Sequence, residues 1–260
     1  MSASDTAVRT PAYRRRVLLA RVAIVVAVLV AVEALPRLGV VDTLTLVPLT
    51  EMADQLVVML GSGVLTPHLV STGSMVLAAF VLACASGMLG GYVLWRSPRT
   101  YRVLDPYLTS YYAMPFFAFY PVLVAIFGLS RTPIILIAWA WAVVAVVVGT
   151  VGGLRKIPVV YHKVVSVYRL SRWQAFRRVY VPAAAPLVFN GVKLALSYSI
   201  IGVIASEFIL APNGLGWLVS YNYENFAVAQ MYAVMLLIVV FTIVLTSAIG
   251  VVQRRLQRLG

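Results

Sequence analysis

Aromatic and basic residues recur at helical spacing in one polar segment of the chain. Their intervals of i, i+3, i+4 and i+7 put four side chains on one side of a helix: Trp173, Phe176, Arg177 and Tyr180. Such a face suits insertion into a groove of a soluble partner. It equally suits a helix that lies on a lipid surface with its rings among the headgroups. The spacing leaves both interpretations open.

The same segment carries start and stop signals for a short helix. Ser171 and Gln174 have the spacing of a capping box, in which each residue satisfies a backbone N–H of the first turn. Pro182 and Pro186 would end this helix, because proline lacks the N–H that a helix interior needs. We therefore expect a short, separate helix within a long polar loop of residues 154–185.

Two ionisable residues, Lys193 and Glu207, fall within one apolar stretch of residues 186–211. They are 14 residues apart, about 21 Å along a helix, so they cannot pair with each other. Charge inside a membrane span indicates function by default, and we take Glu207 as a candidate lining residue of a solute path. Snorkelling of each side chain to its nearer membrane surface is the alternative.

Four aromatic residues in the stretch 103–129 are further candidates for lining the solute path. At i, i+4, i+7 and i+8 they would share one face of a continuous helix: Tyr112, Phe116, Phe119 and Tyr120. Pro115 and Pro121 in the same stretch would free backbone carbonyls, which often happens beside a cavity. The face would line a translocation path or, alternatively, pack against lipid or a neighbouring helix.

Motifs for catalysis and metal binding are missing from the sequence. It contains no G-x-x-x-x-G-K-[ST] phosphate loop, so an ATPase would have to be another polypeptide. His68 and His162 fall in segments that flank opposite membrane surfaces, which argues against a shared metal site or a triad. The single cysteine, Cys84, provides neither a disulfide framework nor a thiolate cluster. We predict no cofactor in this chain and no enzymatic activity of its own.

The elements that must position these residues are membrane spans. The chain is 62% hydrophobic and 11% charged, with a mean hydropathy of +0.95, which is far from the composition of a water-soluble domain. We predict an all-α membrane protein with six transmembrane helices. The apolar stretches are residues 17–35, 69–95, 103–129, 133–153, 186–211 and 228–252.

The basic residues predict the orientation of these spans. With the N-terminus inside, the cytoplasmic segments carry 17 of the 21 Lys and Arg residues, as the positive-inside rule requires. This spread over several loops argues against a nucleic-acid surface, despite a net charge of +13. We expect a multi-pass protein of the bacterial inner membrane with both termini cytoplasmic. Residues 1–16 form a cytosolic tail, and 17–260 form one membrane domain that begins with an uncleaved anchor.

Small residues form a stripe in the second span. Ala83, Gly87 and Gly91 recur at intervals of four, so they lie on one side of a helix. Such a stripe lets the backbone of another helix approach closely. We interpret it as a packing surface.

One segment resembles a known family. Arg169-Leu-Ser-Arg-Trp-Gln-Ala-Phe-Arg-Arg-Val-Tyr-Val-Pro182 is similar to the cytoplasmic coupling motif of binding-protein-dependent ABC permeases, which reads E-A-A, three residues, Gly, nine residues, I-x-L-P. Its Ser-Arg-Trp-Gln run resembles the nitrate, sulfonate and taurine branch. Glu207 followed by Gly214-Leu215-Gly216 resembles the outer end of that branch's fifth span. The order of elements is similar over nearly the whole chain.

The resemblance implies the permease fold of a type I ABC importer, with a cytoplasmic coupling helix. Two copies, or this chain and a paralogue, would form the pore, cytosolic ATPases would supply the ATP and Mg²⁺ chemistry, and a periplasmic or lipid-anchored binding protein would deliver the solute. The residues it implies for ATPase coupling are Arg169, Ser171, Arg172, Trp173, Gln174, Phe176, Arg177, Tyr180 and Pro182.

The chain departs from the motif at its centre. Lys163, Val164 and Val165 stand where the family has E-A-A, and Arg169 stands where it has Gly. Because Arg cannot take left-handed backbone geometry as readily as Gly, we expect the turn that leads into the coupling helix to differ here. The consequence for coupling stays open.

Two other classes compete with this interpretation. An ion-coupled secondary transporter would need ion ligands or broken helices near the membrane centre, and Lys193 and Glu207 are too peripheral to supply them. A membrane-embedded enzyme would need catalytic side chains that converge at one depth, and the sequence offers none. The sequence chooses neither the solute nor between a homodimer and a heterodimer.

Overall fold

The computed structural model describes residues 11–111 and 113–258, and the regular elements in these ranges are all helical. The predicted all-α class is therefore confirmed. In chain order the α-helices are α1 Pro11–Arg37, α2 Leu49–Gly61, α3 Leu65–Arg96, α4 Pro98–Tyr111, α5 Tyr120–Phe127, α6 Arg131–Arg155, α7 Val159–Val167, α8 Arg172–Ala175, α9 Val181–Leu210, α10 Leu215–Glu224 and α11 Val228–Arg258. A 3₁₀ turn, Phe116–Phe119, precedes α5, and a π-helical turn, Phe176–Tyr180, joins α8 to α9.

Within the described ranges, five helices are long and apolar enough to cross a membrane: α1, α3, α6, α11 and the continuous helix from α8 through α9. The first, second, fourth, fifth and sixth predicted spans are confirmed as helices of this kind. The segments α4 and α5 pass the same test only together, as a bent pair. Counting that pair as one broken span gives the six spans that the sequence predicts.

The third predicted span, residues 103–129, is not one continuous helix. The axes of Pro98–Tyr111 and Phe116–Phe127 differ by 87°. Pro115 lies in the break, where its φ of −80° and ψ of 75° are outside the helical region. Pro121 lies in the first turn of α5, where a missing N–H removes no helical hydrogen bond.

This break overturns the predicted common face of four aromatic residues, because a shared face needs an uninterrupted helix. Phe116 and Tyr120 are only 8% and 1% exposed, and they pack into the core against α3, α6 and α9. Phe119 is 49% exposed. Tyr112 lies outside the described residues. Phe116 and Tyr120 are therefore core residues in this structure and present no surface to a path.

The helices α3 and α6 approach each other through small residues. A Cβ atom added at Gly87 would lie 2.6 Å from the Cβ of Val146, and one added at Gly91 would lie 2.6 Å from the Cβ of Thr150. Ala83, on the same side of α3, is 0% exposed. The stripe predicted from the sequence is confirmed as a packing surface.

The helix α9 packs equally closely on α6. A Cβ atom at Gly149 would lie 2.9 Å from the Cα of Gly191, and one at Gly202 would lie 2.7 Å from the Cα of Ala138. These contacts run along most of both helices, so α6 and α9 cannot slide without a clash. We call α3, α6 and α9 the helical core.

The helical core has two chemically different ends. At one end lie Arg96 and Arg155, the last residues of α3 and α6, together with α7, α8 and the π turn. We call this the basic end. At the other end, the latch end, Thr72 of α3 and Glu207 of α9 lie beside the loop that leads into α10.

Candidate functional site

The predicted capping box forms at the start of α8. The backbone N–H of Gln174 donates to the Ser171 Oγ at 3.3 Å, and the backbone N–H of Ser171 donates to the Gln174 Oε1 at 3.0 Å. Both orphan donors of the first turn are thereby satisfied. The prediction of a helix start at this position is confirmed.

The turn before α8 keeps left-handed geometry although its residue is Arg169. Its φ is +47°, and the N–H groups of Arg169 and Leu170 donate to the carbonyls of Ser166 and Val165 at 3.2 and 3.1 Å. These two bonds close a Schellman motif at the end of α7, in which Gly usually holds the left-handed position. The expectation that an Arg would change this turn is therefore wrong.

Pro182 and Pro186 do not end the helix, contrary to the sequence prediction. The helical backbone continues from α8 through the π turn into α9, with Pro182 in the first turn of α9 and Pro186 inside it. A proline ring clashes with the carbonyl four residues before it, and the π turn changes the hydrogen-bond register at this point. The coupling segment is thus the extended end of a membrane span and not a separate helix.

Three of the four residues predicted to share a face, Trp173, Phe176 and Tyr180, line one cavity beside α3, and Arg177 lies outside it. The ring of Phe176 packs edge-on against Tyr92 of α3 at a centroid distance of 5.2 Å. The Tyr180 ring lies 6.1 Å from that of Trp95, and its hydroxyl lies 3.1 Å from the Nδ1 of His162. Aromatic partners on α3 therefore hold one side of the segment against the core.

The other side of the segment is open. Trp173 is 68% exposed, although its ring still stacks on Phe176 at 6.1 Å. Neighbouring exposed side chains add guanidinium groups and a carboxamide. We call this outward side the coupling surface, and it consists of Arg172, Trp173, Gln174, Arg177 and Arg178. A flat indole among guanidinium groups suits an acidic pocket with an apolar floor.

At the latch end, the Glu207 carboxylate is enclosed by protein. The residue is 0% exposed, and its oxygens accept hydrogen bonds from the Thr72 hydroxyl at 2.8 and 3.0 Å and from the Gly216 N–H at 2.9 Å. The Thr72 Oγ1 in turn accepts from the Leu215 N–H at 2.8 Å. Snorkelling is therefore wrong for Glu207, and its predicted place on a path surface is corrected to a buried junction.

Further contacts join α3 to the same loop. The Gly214 N–H donates to the Nδ1 of His68 at 3.2 Å, and the Ser71 hydroxyl donates to the Oδ1 of Asn213 at 2.9 Å. The His68 ring stacks on Trp217 at 5.3 Å. The sequence placed His68 in a segment that flanks the membrane, and it indicated no role for Thr72. No sequence pattern indicates that the Thr72 hydroxyl or the His68 imidazole contacts residues about 140 positions further along the chain.

Glycine is required where this loop meets the carboxylate. Gly214 has a φ of +119°, which side-chain-bearing residues rarely adopt. A Cβ atom there would overlap the Glu207 carboxyl group, and one at Gly216 would overlap the carbonyl of Ile204. The sequence pairing of Glu207 with Gly214-Leu215-Gly216 therefore corresponds to direct contact. We call Thr72, Glu207 and residues 214–216 the latch.

The fold and these two ends define a multi-helix membrane protein with an exposed basic element. A family model described as binding-protein-dependent transport system inner membrane component matches residues 76–259, which is more than half of the chain. The chain belongs to this family.

Several characterised proteins are similar to the chain. A taurine transport system permease of Escherichia coli is 25% identical over 224 residues, which cover 84% of this chain and 82% of that one. A riboflavin transport system permease of Chloroflexus aurantiacus is 29% identical over 199 residues, which cover 76% of this chain and 74% of that one. A nitrate import permease of Leptolyngbya laminosa is 24% identical over 180 residues, covering 69% of this chain and 64% of its own. For the nitrate import permease of Synechococcus elongatus, the matched part is 52% of its length.

A solved structure has the same fold. It is an inward-facing form of the MetNI methionine ABC transporter, with a TM-score of 0.63 and 18% sequence identity. The match covers 74% of this chain and 95% of that one. The type I importer permease fold that the resemblance implies is thus confirmed.

The latch gives a prediction about stability. Glu207→Ala leaves the Gly216 N–H and the Thr72 hydroxyl buried without their acceptor, which costs about 1–3 kcal/mol per orphaned group. We expect a clearly lower midpoint of thermal unfolding in detergent, and a smaller loss for Glu207→Gln, which keeps one acceptor oxygen. Asp54→Ala, at an exposed position on α2, is the control and should leave the midpoint unchanged. Equal midpoints for Glu207→Ala and Asp54→Ala would contradict the latch.

The left-handed turn gives a second prediction. Left-handed backbone costs a side-chain-bearing residue about 1–2 kcal/mol, and Gly avoids this cost. Arg169→Gly should therefore slow amide hydrogen exchange at positions 169 and 170 about fivefold, which corresponds to ~1 kcal/mol. Arg169→Ala retains a Cβ atom and should show no such slowing. The same slowing in both variants would attribute the effect to the lost charge.

Proposed function

We propose that the chain is the permease subunit of an ATP-driven ABC importer. It forms the solute path together with a second copy or a paralogue, and the coupling surface binds a cytosolic ATPase that hydrolyses Mg²⁺-ATP. A periplasmic or lipid-anchored binding protein delivers the solute to the latch end. The protein is embedded in the bacterial inner membrane with the basic end and both termini in the cytoplasm.

The observation that carries this proposal is the continuous helical backbone from the coupling surface into the helical core. Residues 172–210 are helical throughout, so a force on the exposed Trp173 acts directly on α9. Phe176 and Tyr180 transmit the same force to α3 through their contacts with Tyr92 and Trp95. An ATPase that closes against this surface therefore moves α3 and α9 together.

The latch extends this coupling to the other end of the core. Thr72 lies on α3 and Glu207 on α9, and both hold the loop of residues 214–216 through backbone N–H groups. A joint movement of α3 and α9 must therefore carry the start of α10 with it or break buried hydrogen bonds. This gives a route by which the ATPase and an external binding protein sense each other's state.

The proposed second subunit is supported by surfaces that this chain leaves uncovered. The apolar window of α1 has 0% of its residues buried, and that of α11 has 11%. A helix that buries no residues in its own chain requires lipid or another subunit around it. A single chain of this fold thus exposes apolar surface on several sides.

An exposed aromatic residue at the latch end supports an external partner. Phe226 is 84% exposed and has a φ of +57°. It occupies the left-handed position of a Schellman motif at the end of α10, where Gly avoids the backbone cost. An exposed ring held at such a cost is typical of a contact site. We place the docking of the binding protein beside it.

The alternative of an ion-coupled carrier finds no support in the described part of the chain. Its residues contain no group of three or more His, Cys, Asp or Glu side chains that could hold a metal ion. Glu207, the acidic residue of the fifth span, has its oxygens occupied by donors of its own chain. The printed names of the relatives include nitrate, taurine and riboflavin, which leaves the solute of this chain open.

The difference in exposure between Trp173 and Phe176 tests the proposal. Trp173→Ala removes an exposed anchor, so we expect affinity for the ATPase to fall by about thirtyfold, or ~2 kcal/mol, with unchanged thermal stability of the permease. Phe176→Ala, three residues away, removes packing against Tyr92 and should lower the thermal stability of the permease itself. Binding of the purified ATPase to the permease in detergent measures the first effect.

Trp217→Ala, a tryptophan change at the latch end, controls for general loss of aromatic packing and should leave ATPase affinity unchanged. If Trp173→Ala bound the ATPase as tightly as the unaltered chain, the coupling surface would be a lipid-contacting element. The proposed assignment of the ATPase site would then be wrong.

A further inference from the structure

The fifth span carries polar residues on a side that this chain leaves open. Asn190, Lys193 and Ser197 follow one another at i, i+3 and i+7, so they lie on one side of α9. Asn190 and Lys193 are exposed and Ser197 is half-buried. The opposite side, with Gly191 and Ala195, packs against α6 and is buried.

The close contact between α6 and α9 fixes the depth of this polar side. Gly149 lies against Gly191 in the antiparallel pair, which puts Lys193 about level with Val147. Val147 precedes Arg155, the last residue of α6, by eight positions, or about 12 Å of helix. Lys193 therefore lies about two helical turns inside the basic end of the helical core.

No acidic partner compensates Lys193 in the described part of the chain. The salt bridge found there joins Arg37 and Glu33, and Glu207 lies about 21 Å further along α9. An ammonium group and a carboxamide side by side are costly against hydrocarbon. Ionisable residues inside spans almost always face a water-filled cavity or the interior of a bundle. The open side of α9 therefore fits a water-filled space better than lipid.

Building on the proposed function, we propose that Asn190, Lys193 and Ser197 line the solute path and that Lys193 selects negatively charged solutes. An ammonium group offers three donors and no acceptor, and the Asn190 amide beside it adds further donors, whereas the Ser197 hydroxyl donates to the Lys193 carbonyl at 3.4 Å. This arrangement favours ligands with several acceptor oxygens and a negative charge, such as oxyanions. Hydrogen bonds between an ammonium group and an oxyanion are also stronger than those between neutral groups.

Cysteine labelling with charged reagents tests this inference in the full-length chain, assembled with its ATPase in open membrane fragments. Cys84 is first replaced by Ser, and single cysteines are introduced at positions 190 and 197. The probes are two water-soluble methanethiosulfonates, one with a sulfonate and one with a quaternary ammonium group. We expect both positions to react, with a preference for the anionic reagent at low ionic strength.

Removing the charge should abolish that preference. A unit charge about 6 Å from the reacting thiol, even at the dielectric constant of water, changes each rate about threefold in opposite directions. Lys193→Gln should therefore lower the ratio of anionic to cationic rates about tenfold. Lys193→Arg should preserve the ratio, and Lys156→Gln, at the end of α6, should leave it unchanged. A cysteine at Val25 on the apolar α1 should react with neither reagent.

Two results would overturn the inference. Absence of reaction at positions 190 and 197 would mean that lipid or protein covers this side of α9. Reaction with a ratio that Lys193→Gln does not alter would mean that the path is wet but that Lys193 does not select charge. Retention of the ATPase on the same fragments is measured in parallel, so either result with the ATPase still bound leaves the proposed function intact.

Discussion

The structure depends on one uninterrupted helical backbone that runs from Arg172 to Leu210. Two prolines near its start would ordinarily end or kink it. The π turn before Pro182 changes the hydrogen-bond register and lets the helix continue. Because of this continuity, the exposed coupling surface and the buried latch belong to one rigid element. A broken helix at this point would separate them mechanically.

Close packing and buried hydrogen bonds make this element act on the rest of the fold. Glycine and alanine contacts hold α6 against α9 along most of their length, and aromatic rings hold the coupling segment against α3. At the latch end, the Glu207 carboxylate stays inside protein because donors of α3 and of the α10 loop surround it. Losing the Thr72 hydroxyl would leave a buried carboxylate oxygen unpaired, so α3, α9 and this loop are held in one arrangement.

The sequence predicted the features that depend on local spacing. Five of the six apolar stretches, the Ser171 capping box and the small-residue stripe around Gly87 each need only a few neighbouring positions, and these are confirmed. Features that depend on distant partners could not be predicted. Phe176 turns inward because Tyr92 is beside it, and Glu207 is enclosed because Thr72, 135 positions away, donates to it. The break at Pro115 likewise rules out the common face of four aromatic residues, because that prediction assumed a continuous helix.

The most direct test of this account is photocrosslinking from two adjacent positions of the coupling segment. A benzophenone amino acid is placed at Arg177, which is exposed, or at Phe176, which packs against α3, in the full-length chain assembled with its ATPase. We expect position 177 to give a covalent product that contains the ATPase, identified by mass spectrometry, and position 176 to give mainly crosslinks within the permease. A product that contains only lipid at position 177, with the ATPase still bound, would contradict the account.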